Sequence, residues 1–248
     1  MHAVRRTMFA LGAILLLAMP AVAQDETEAA PEPLWANTLG LSYLSTSGNT
    51  DTQTFGLDFT VERKPSPWGL SIVGSFNRAD QDGEVTAERY FVSAQAKRAL
   101  SERWEVFGGV SGEKDEFAGF DLRMVVDAGV TYHALLGPTH FLSFDAGLAW
   151  TDEDRIEPEE DVSYLGGILG LSYEWKFSES ASLTERLVFY PNFDDTSDWR
   201  FNSVTAVTAS LTKVLALQAS YEIRYRNQPI GDNDDTDTAT KISVVANF

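Results

Sequence analysis

The sequence contains no cysteine. Without a thiol, the chain cannot form a disulfide bond or use a cysteine nucleophile. Positive charge is also scarce, because 19 lysines and arginines face 37 aspartates and glutamates, which gives a formal net charge of −18. A chain this acidic is repelled by phosphate groups, which argues against nucleic acid and anionic membrane surfaces as partners.

The sequence also lacks an apolar run long enough for a membrane-spanning helix. The run Met8–Met19 has about a dozen residues, against the roughly 20 that a spanning helix requires. Arg5–Arg6 precede it and the small residues Pro20–Ala23 follow, which is the pattern of a cleaved signal peptide. We therefore predict that residues 1–23 are removed and that the acidic, proline-containing residues 24–33 form a flexible lead-in. A membrane location then requires a β-barrel.

Apolar and polar residues alternate with a period of two along the rest of the chain, which is typical of β-strands. Twelve such stretches of about 10–14 residues match the length of tilted membrane-spanning strands. The last stretch ends on an aromatic residue, as closing strands of outer-membrane barrels do, and its apolar face is the expected assembly signal: Ile242, Val244, Ala246 and Phe248. The pattern predicts an all-β domain over residues 34–248, a transmembrane antiparallel up-and-down β-barrel of about 12 strands.

The predicted connections alternate in length. Short turns such as Lys64–Pro67 and Ser101–Arg103 alternate with longer acidic segments, which are Gln81–Thr86, Glu116–Phe120, Glu153–Asp161, Asn192–Trp199 and Gln228–Asp235. Outer-membrane barrels have short periplasmic turns and longer outer loops, so this alternation places both termini on the periplasmic side. Aromatic residues near the strand ends favour interfacial girdles. The alternative is a soluble periplasmic β-domain whose core these aromatic residues would fill.

Charges of both signs fall on the face that the alternation turns toward the barrel lumen. The candidate lumen-lining residues, which we expect to share the outer half of the lumen, are Arg89, Glu113, Arg123, Asp127, Glu222, Arg224 and Arg226. Buried charges require partners. The residues therefore predict either an ion-pair network that fills the lumen or the lining of a narrow selective path. The sequence leaves both open.

Catalytic and metal-binding patterns are weak. After the signal peptide only His133 and His140 remain, and both lie at the periplasmic end, beside the turn at Gly137–Pro138. We predict no catalytic residue, cofactor or metal ligand and therefore no enzyme, with an outer-membrane lipid-active hydrolase as the alternative. Acidic loops such as Asp232–Asp237 lack the glycine and glutamate of a calcium-binding loop, which leaves only loose binding of divalent cations.

Several short motifs occur in order along the chain: Ser47–Thr50, Thr86–Tyr90, Phe107–Glu113, Phe117–Asp121, Trp175–Glu179, Pro191–Asp194 and Ser220–Pro229. Through them the chain resembles the salt-induced outer-membrane protein family (YdiY-like), a domain family of unknown function. The resemblance implies a barrel in the outer membrane of a Gram-negative envelope. It also implies contact with lipid, lipopolysaccharide and the barrel-assembly machinery, and a link to salt or osmotic stress. We expect a narrow, porin-like channel or an envelope-integrity barrel.

Overall fold

The structure, a computed structural model, describes residues 34–46, 51–156 and 158–248. In these ranges the chain forms a closed barrel of antiparallel strands, in which each strand pairs with its sequence neighbours and the last pairs with the first. The strands are β1 (Trp35–Thr46), β2 (Thr52–Arg63), β3 (Trp68–Gln81), β4 (Glu84–Ala99), β5 (Trp104–Asp115), β6 (Phe120–Leu136), β7 (His140–Arg155), β8 (Val162–Ser178), β9 (Ala181–Pro191), β10 (Trp199–Ser210), β11 (Leu215–Arg226) and β12 (Thr236–Asn247). The predicted 12-stranded barrel is confirmed.

The signal peptide predicted at residues 1–23, the lead-in at 24–33 and the turn at 47–50 lie outside the described residues. The helical structure that the described ranges contain is a 3₁₀ turn at Glu116–Ala118, before β6. None of it is long or apolar enough to span a membrane as a helix.

The barrel is apolar outside and polar inside, the reverse of a soluble domain. Leu148 on the outer face of β7 is 56% exposed, whereas its neighbour Ala149 on the lumen face is 2% exposed. Thr151 and Glu153 continue the lumen face and are also buried. Exposing so many apolar side chains to water would cost roughly 25 cal/mol for each Å². Lipid removes that cost, so the outer surface fits a membrane.

Aromatic side chains gather at both ends of the barrel. At the end where the chain terminates, the rings of Trp104 and Tyr132 lie 4.8 Å apart. At the opposite end the rings of Trp199 and Tyr225 lie 4.9 Å apart. Tryptophan and tyrosine prefer the two membrane–water interfaces, so the rings mark the edges of the membrane-embedded zone.

We call the barrel end that carries Leu34 and Phe248 the turn end, and the opposite end the loop end. The connections at the turn end are residues 64–67, 100–103, 137–139, 179–180 and 211–214. Those described completely at the loop end are 82–83, 116–119, 192–198 and 227–235, and 156–161 is described except for residue 157. Because outer-membrane barrels have short periplasmic turns, we expect the loop end to face the cell exterior.

The longer loop predicted at Gln81–Thr86 is wrong. β3 and β4 extend further and leave only Asp82 and Gly83 between them, with φ angles of 52° and 88°. Positive φ at both positions is the conformation of a tight two-residue hairpin, which an Asp-Gly pair favours. The Asp82-Gly83 dipeptide was therefore the signal that located the turn, and the acidic residues around it belong to strands.

The terminal residue takes part in closing the barrel. Pairing between β1 and β12 runs from Thr38 with Asn247 to Ser42 with Ser243. Beyond it, the amide of Phe248 donates to the carbonyl of Asn37 at 3.0 Å, and the amide of Asn37 donates back at 3.0 Å. The Phe248 ring is exposed on the outside, at the turn end.

Replacing Phe248 by aspartate should lower the amount of folded barrel in the outer membrane several-fold and leave unfolded protein in the periplasm. The substitution puts a charge at the end of the apolar face by which we expect the closing strand to be recognised. Cell fractionation followed by heat-modifiable gel mobility would measure both pools. Asn247→Asp, one residue earlier in the same strand, is the matched control. A normal outer-membrane level of the Phe248→Asp protein would show that the terminal aromatic is not an assembly signal.

Candidate functional site: an ion-pair layer across the lumen

Charged side chains from six strands, and one from the loop before β10, meet inside the loop-end half of the barrel. Strand alternation points them inward, and their partners lie on neighbouring strands or across the lumen. We call this set the ion-pair layer; its members are Arg89, Glu113, Asp115, Arg123, Glu153, Arg155, Asp198, Glu222, Arg224, Arg226 and Asp237.

Glu153 on β7 is the most buried member of the layer, with 0% of its side chain exposed. Its carboxylate accepts from Nε of Arg123 at 2.5 Å and from Nε of Arg155 at 2.9 Å. Both its oxygens also accept from Nη1 of Arg226 on β11, at 3.0 and 2.9 Å. Three guanidinium groups therefore share one carboxylate, and one of them comes from a different side of the barrel.

Glu113 on β5 links the two walls of the barrel. It contacts Arg89 at 2.6 Å and Arg123 at 3.4 Å on adjacent strands. It also lies 3.7 Å from Arg224 on β11. β5 and β11 are six strands apart in both directions around the twelve-stranded barrel, so this contact joins opposite walls. The layer therefore crosses the full width of the lumen.

Two further contacts strengthen the crossing. Arg224 contacts Asp115 of β5 at 2.8 Å, and Arg89 of β4 contacts Glu222 of β11 at 3.3 Å. Charge-assisted hydrogen bonds of this length offset the cost of removing the ions from water. Losing one partner would leave the other charge buried without compensation. The contacts therefore hold one another in place as a network.

Aromatic rings lie against two of the arginines in the lumen, and an apolar cluster lies next to them. The guanidinium carbon of Arg123 lies 3.8 Å from the ring centre of Phe120, and that of Arg200 lies 5.1 Å from the ring centre of Tyr190. Such cation–π contacts orient planar guanidinium groups. A buried apolar cluster inside the barrel continues toward the turn end and consists of Phe107, Val125, Ala149 and Ile168, with Val188 and Tyr190 packed against it. The lumen is therefore filled beside the layer.

The loops at the loop end bind to one another. The amide of Ile156 donates to the carbonyl of Gly119 at 3.1 Å, and Asn227 donates to the carbonyl of Ser197 at 2.9 Å. Ile230 is only 4% exposed and packs on Gly119, where an added Cβ would lie 2.9 Å from it. Gly119 also has a φ of 88°, so only glycine fits there without strain. Four connections are thus joined at the mouth of the barrel.

Six of the seven residues proposed to line the lumen lie together in the layer; they are Arg89, Glu113, Arg123, Glu222, Arg224 and Arg226. Asp127 lies apart from them. It sits further toward the turn end on β6, and its Oδ1 atom is buried without a hydrogen-bond partner among the described residues. The charged groups that act on it electrostatically are Asp145 and Arg186, which belong to the turn-end half of the lumen.

Sequence reasoning missed several members of the layer. Glu153 was assigned to an outer loop, which is wrong because β7 continues to Arg155. The missed signal was the alternation itself, since Ala149 and Thr151 on the lumen face lead directly to Glu153. Asp198 was likewise assigned to a loop, and although it does lie in one, it is buried beside Arg226 at 3.4 Å.

The two histidines have partners other than a serine hydroxyl. Nε2 of His133 lies 3.2 Å from Glu105, and Nδ1 of His140 lies 2.9 Å from the hydroxyl of Tyr173. In the described part of the chain, no group of three or more histidine, aspartate or glutamate side chains is arranged to hold a metal ion. The absence of enzymatic activity and the loose binding of divalent cations by the acidic loops stay predictions.

The family model described as "Protein of unknown function, DUF481" matches residues 39–248. The chain belongs to the DUF481 family. This DUF481 chain is 24% identical over 221 residues to the uncharacterized protein YdiY of Escherichia coli (strain K12), covering 89% of this chain and 85% of that protein. The YdiY-like resemblance is therefore confirmed.

The fold of this DUF481 protein is similar to that of an outer-membrane channel from Pseudomonas putida F1. The TM-score is 0.53 at 15% sequence identity, and the match covers 92% of this chain and 100% of the channel. At this identity the likeness shows a shared fold. Together with the apolar outer surface, it identifies the protein as an outer-membrane β-barrel.

Proposed function

We propose that this DUF481 protein is a narrow outer-membrane channel that its ion-pair layer holds closed at rest and that opens under salt or osmotic stress. The observation that carries this proposal is the contact between Glu113 and Arg224, which joins opposite walls at 3.7 Å. Anything that moves along the barrel axis must pass the layer. It must therefore displace these contacts or exchange charges with them, as ions do at charged rings in pores.

The layer has one edge on which salt can act. Arg224 also lies 3.6 Å from Asp237, whose side chain is 53% exposed. The screening length falls from about 10 Å at 0.1 M salt to about 3 Å at 1 M, and exposed pairs are screened far more than buried ones. High salt therefore weakens the Asp237 contact before it affects Glu153, and frees Arg224 from one of its partners. This difference supports the link to salt stress.

The turn-end half of the lumen favours cations. Its lumen-facing acids outnumber its bases: the acids are Asp58, Glu62, Glu105, Asp127, Asp145 and Glu174, and the bases are Lys97, Lys176, Arg186 and Lys241. A lining with an excess of carboxylates raises the local concentration of cations. We therefore expect cation selectivity once the layer is open.

Replacing both Arg224 and Arg226 by glutamine should raise the open probability several-fold and shift selectivity further toward cations. The two changes remove the β11 contacts to Glu113, Asp115 and Glu153, so that the Arg89–Glu222 pair remains of the crossing contacts described above. Single-channel recording in planar bilayers, at low and at high salt, measures both effects. The matched control is Arg78→Gln with Lys114→Gln, which removes two loop-end charges from the outer face.

Wild-type recordings decide between the channel and the second candidate, an envelope-integrity barrel. A channel should show rare openings in low salt and more frequent openings in high salt. The complete burial of Glu153 favours the structural barrel, because the ion pair between Glu153 and Arg123 is shielded from salt. A wild-type protein that stays silent at every salt concentration and voltage would overturn the channel and leave the structural barrel.

A further inference from the structure

The carboxylate of Glu185 lies on the outer surface of the barrel. On β9, Val188 and Tyr190 pack against the apolar cluster inside the barrel, so alternation turns Glu185 and Leu187 outward. The pairing agrees, because Leu187 lies opposite Leu171 on the outer face of β8. Ionisable residues that face lipid are costly and mark functional positions.

The two hydroxyl groups that hold this carboxylate are also on the outer face. The Ser203 hydroxyl donates to Oε1 of Glu185 at 2.6 Å, and the Thr205 hydroxyl donates to Oε2. Both come from β10, where buried Ala206 faces the lumen and exposed Val207 faces outward. These bonds orient the carboxylate and leave about half of its lone-pair sites unused. The carboxylate is therefore fixed in position and can still accept further hydrogen bonds.

Two tyrosines flank the carboxylate in the strand register. Tyr173 of β8 lies opposite Glu185, and Tyr221 of β11 lies opposite Thr205. Trp175, which lies opposite Leu183, continues the outer face toward the turn end and belongs to the aromatic girdle there. Glu185 is two residues from Leu183, so it lies within roughly 7 Å of the girdle along the strand. The carboxylate is therefore close to the level of lipid headgroups.

We infer that Glu185, Ser203 and Thr205 form a binding site for a lipid whose headgroup carries a primary ammonium group, in the leaflet at the turn end. The ammonium group supplies the positive charge that the carboxylate lacks on this face and offers three N–H donors to its unused lone pairs. Tyrosine rings add cation–π attraction. The acyl chains of such a lipid would lie along the apolar outer face toward Leu187 and Leu171. This inference is independent of the proposed channel.

The test uses the full, folded barrel purified in a mild detergent and mixed with phosphatidylethanolamine, phosphatidylcholine or phosphatidylglycerol. Native mass spectrometry measures how much of each lipid the protein retains. The wild type should retain phosphatidylethanolamine several-fold better than phosphatidylcholine, whose quaternary ammonium group has no N–H donor. Glu185→Gln should abolish this preference. The matched control, Glu174→Gln, changes a neighbouring carboxylate on the lumen face of β8 and should leave it intact.

Three results would overturn the inference. The first is equal retention of phosphatidylethanolamine and phosphatidylcholine by the wild type, a comparison that does not depend on any variant folding. The second is an unchanged lipid preference in Glu185→Gln protein that heat-modifiable mobility shows to be folded. The third is a wild-type dimer that Glu185→Gln converts to a monomer, since this would make a second copy of the chain the occupant of the site.

Discussion

Replacing Glu153 by glutamine should destabilise the barrel by about 3–5 kcal/mol, the cost of removing one partner from a buried charge network. The neutral amide cannot compensate Arg123, Arg155 and Arg226, all of which contact the carboxylate at 2.9 Å or less. Three positive charges would then remain close together inside the barrel. Because Arg226 belongs to β11, loss of the Glu153 carboxylate should weaken the contacts across the lumen as well as those between β7 and its neighbouring strand.

Equilibrium unfolding in urea, with the barrel refolded in liposomes, would measure this effect. The matched control is Asp154→Asn, which neutralises the next carboxylate of the same strand on its exposed outer side. Its effect should stay within about 0.5 kcal/mol, as for ordinary surface substitutions. Equal stability of the two variants would show that Glu153 does not hold the layer together.

Replacing Leu217 by arginine should cost up to about 2–4 kcal/mol, the cost at the bilayer midplane, whereas arginine at Gln218 should cost much less. Leu217 is the third residue of β11, faces outward and is exposed, so the new charge would meet lipid. Gln218 is its neighbour on the lumen face, where it donates to Thr208 at 3.0 Å. The lumen offers water and carboxylates to a new guanidinium group. The two variants therefore compare the cost of an arginine on the lipid face with its cost on the lumen face, at adjacent positions of one strand.

The same unfolding assay in liposomes measures both arginine variants. Folding should first be checked by heat-modifiable mobility, so that a failure to insert is not mistaken for reduced stability. If arginine cost the same at Leu217 and Gln218, the outer surface of β11 would not lie in the hydrocarbon region.

The strands could be predicted because their signal is local. Alternation over ten or more residues defines both the strand and its lumen face, which is why Arg89, Glu113 and Arg224 could be predicted to share the lumen face. The amino-acid composition of a segment is a weaker signal than alternation for where a strand ends. Asp152–Asp154 resembles an acidic loop, and yet Thr151 and Glu153 continue the alternation into the barrel. A tight Asp-Gly turn likewise hid among the acidic residues of Gln81–Thr86.

The partners of the lumen charges could not be predicted because they depend on register and strand tilt. Glu113 and Arg224 are far apart in sequence, and only the closed ring of strands places them opposite each other. Asp127 shares a strand face with Arg123, yet it lies too far toward the turn end to reach the layer. The outward position of Glu185 was implicit in its place between Leu183 and Leu187, but its two hydroxyl donors come from the pairing of β9 with β10.

The seam between the first and last strands has a consequence for the kinetics of folding. The Thr38 hydroxyl donates to the side chain of Asn247, 209 residues away, at 3.3 Å. Closing an interval of this length is entropically costly and slow, whereas each hairpin between neighbouring strands closes a short one. Until β12 arrives, the growing sheet has two unpaired edges that can accept strands from other chains. Pairing of Thr38–Ser42 with β12 is thus the folding step at which a chain either closes its barrel or aggregates.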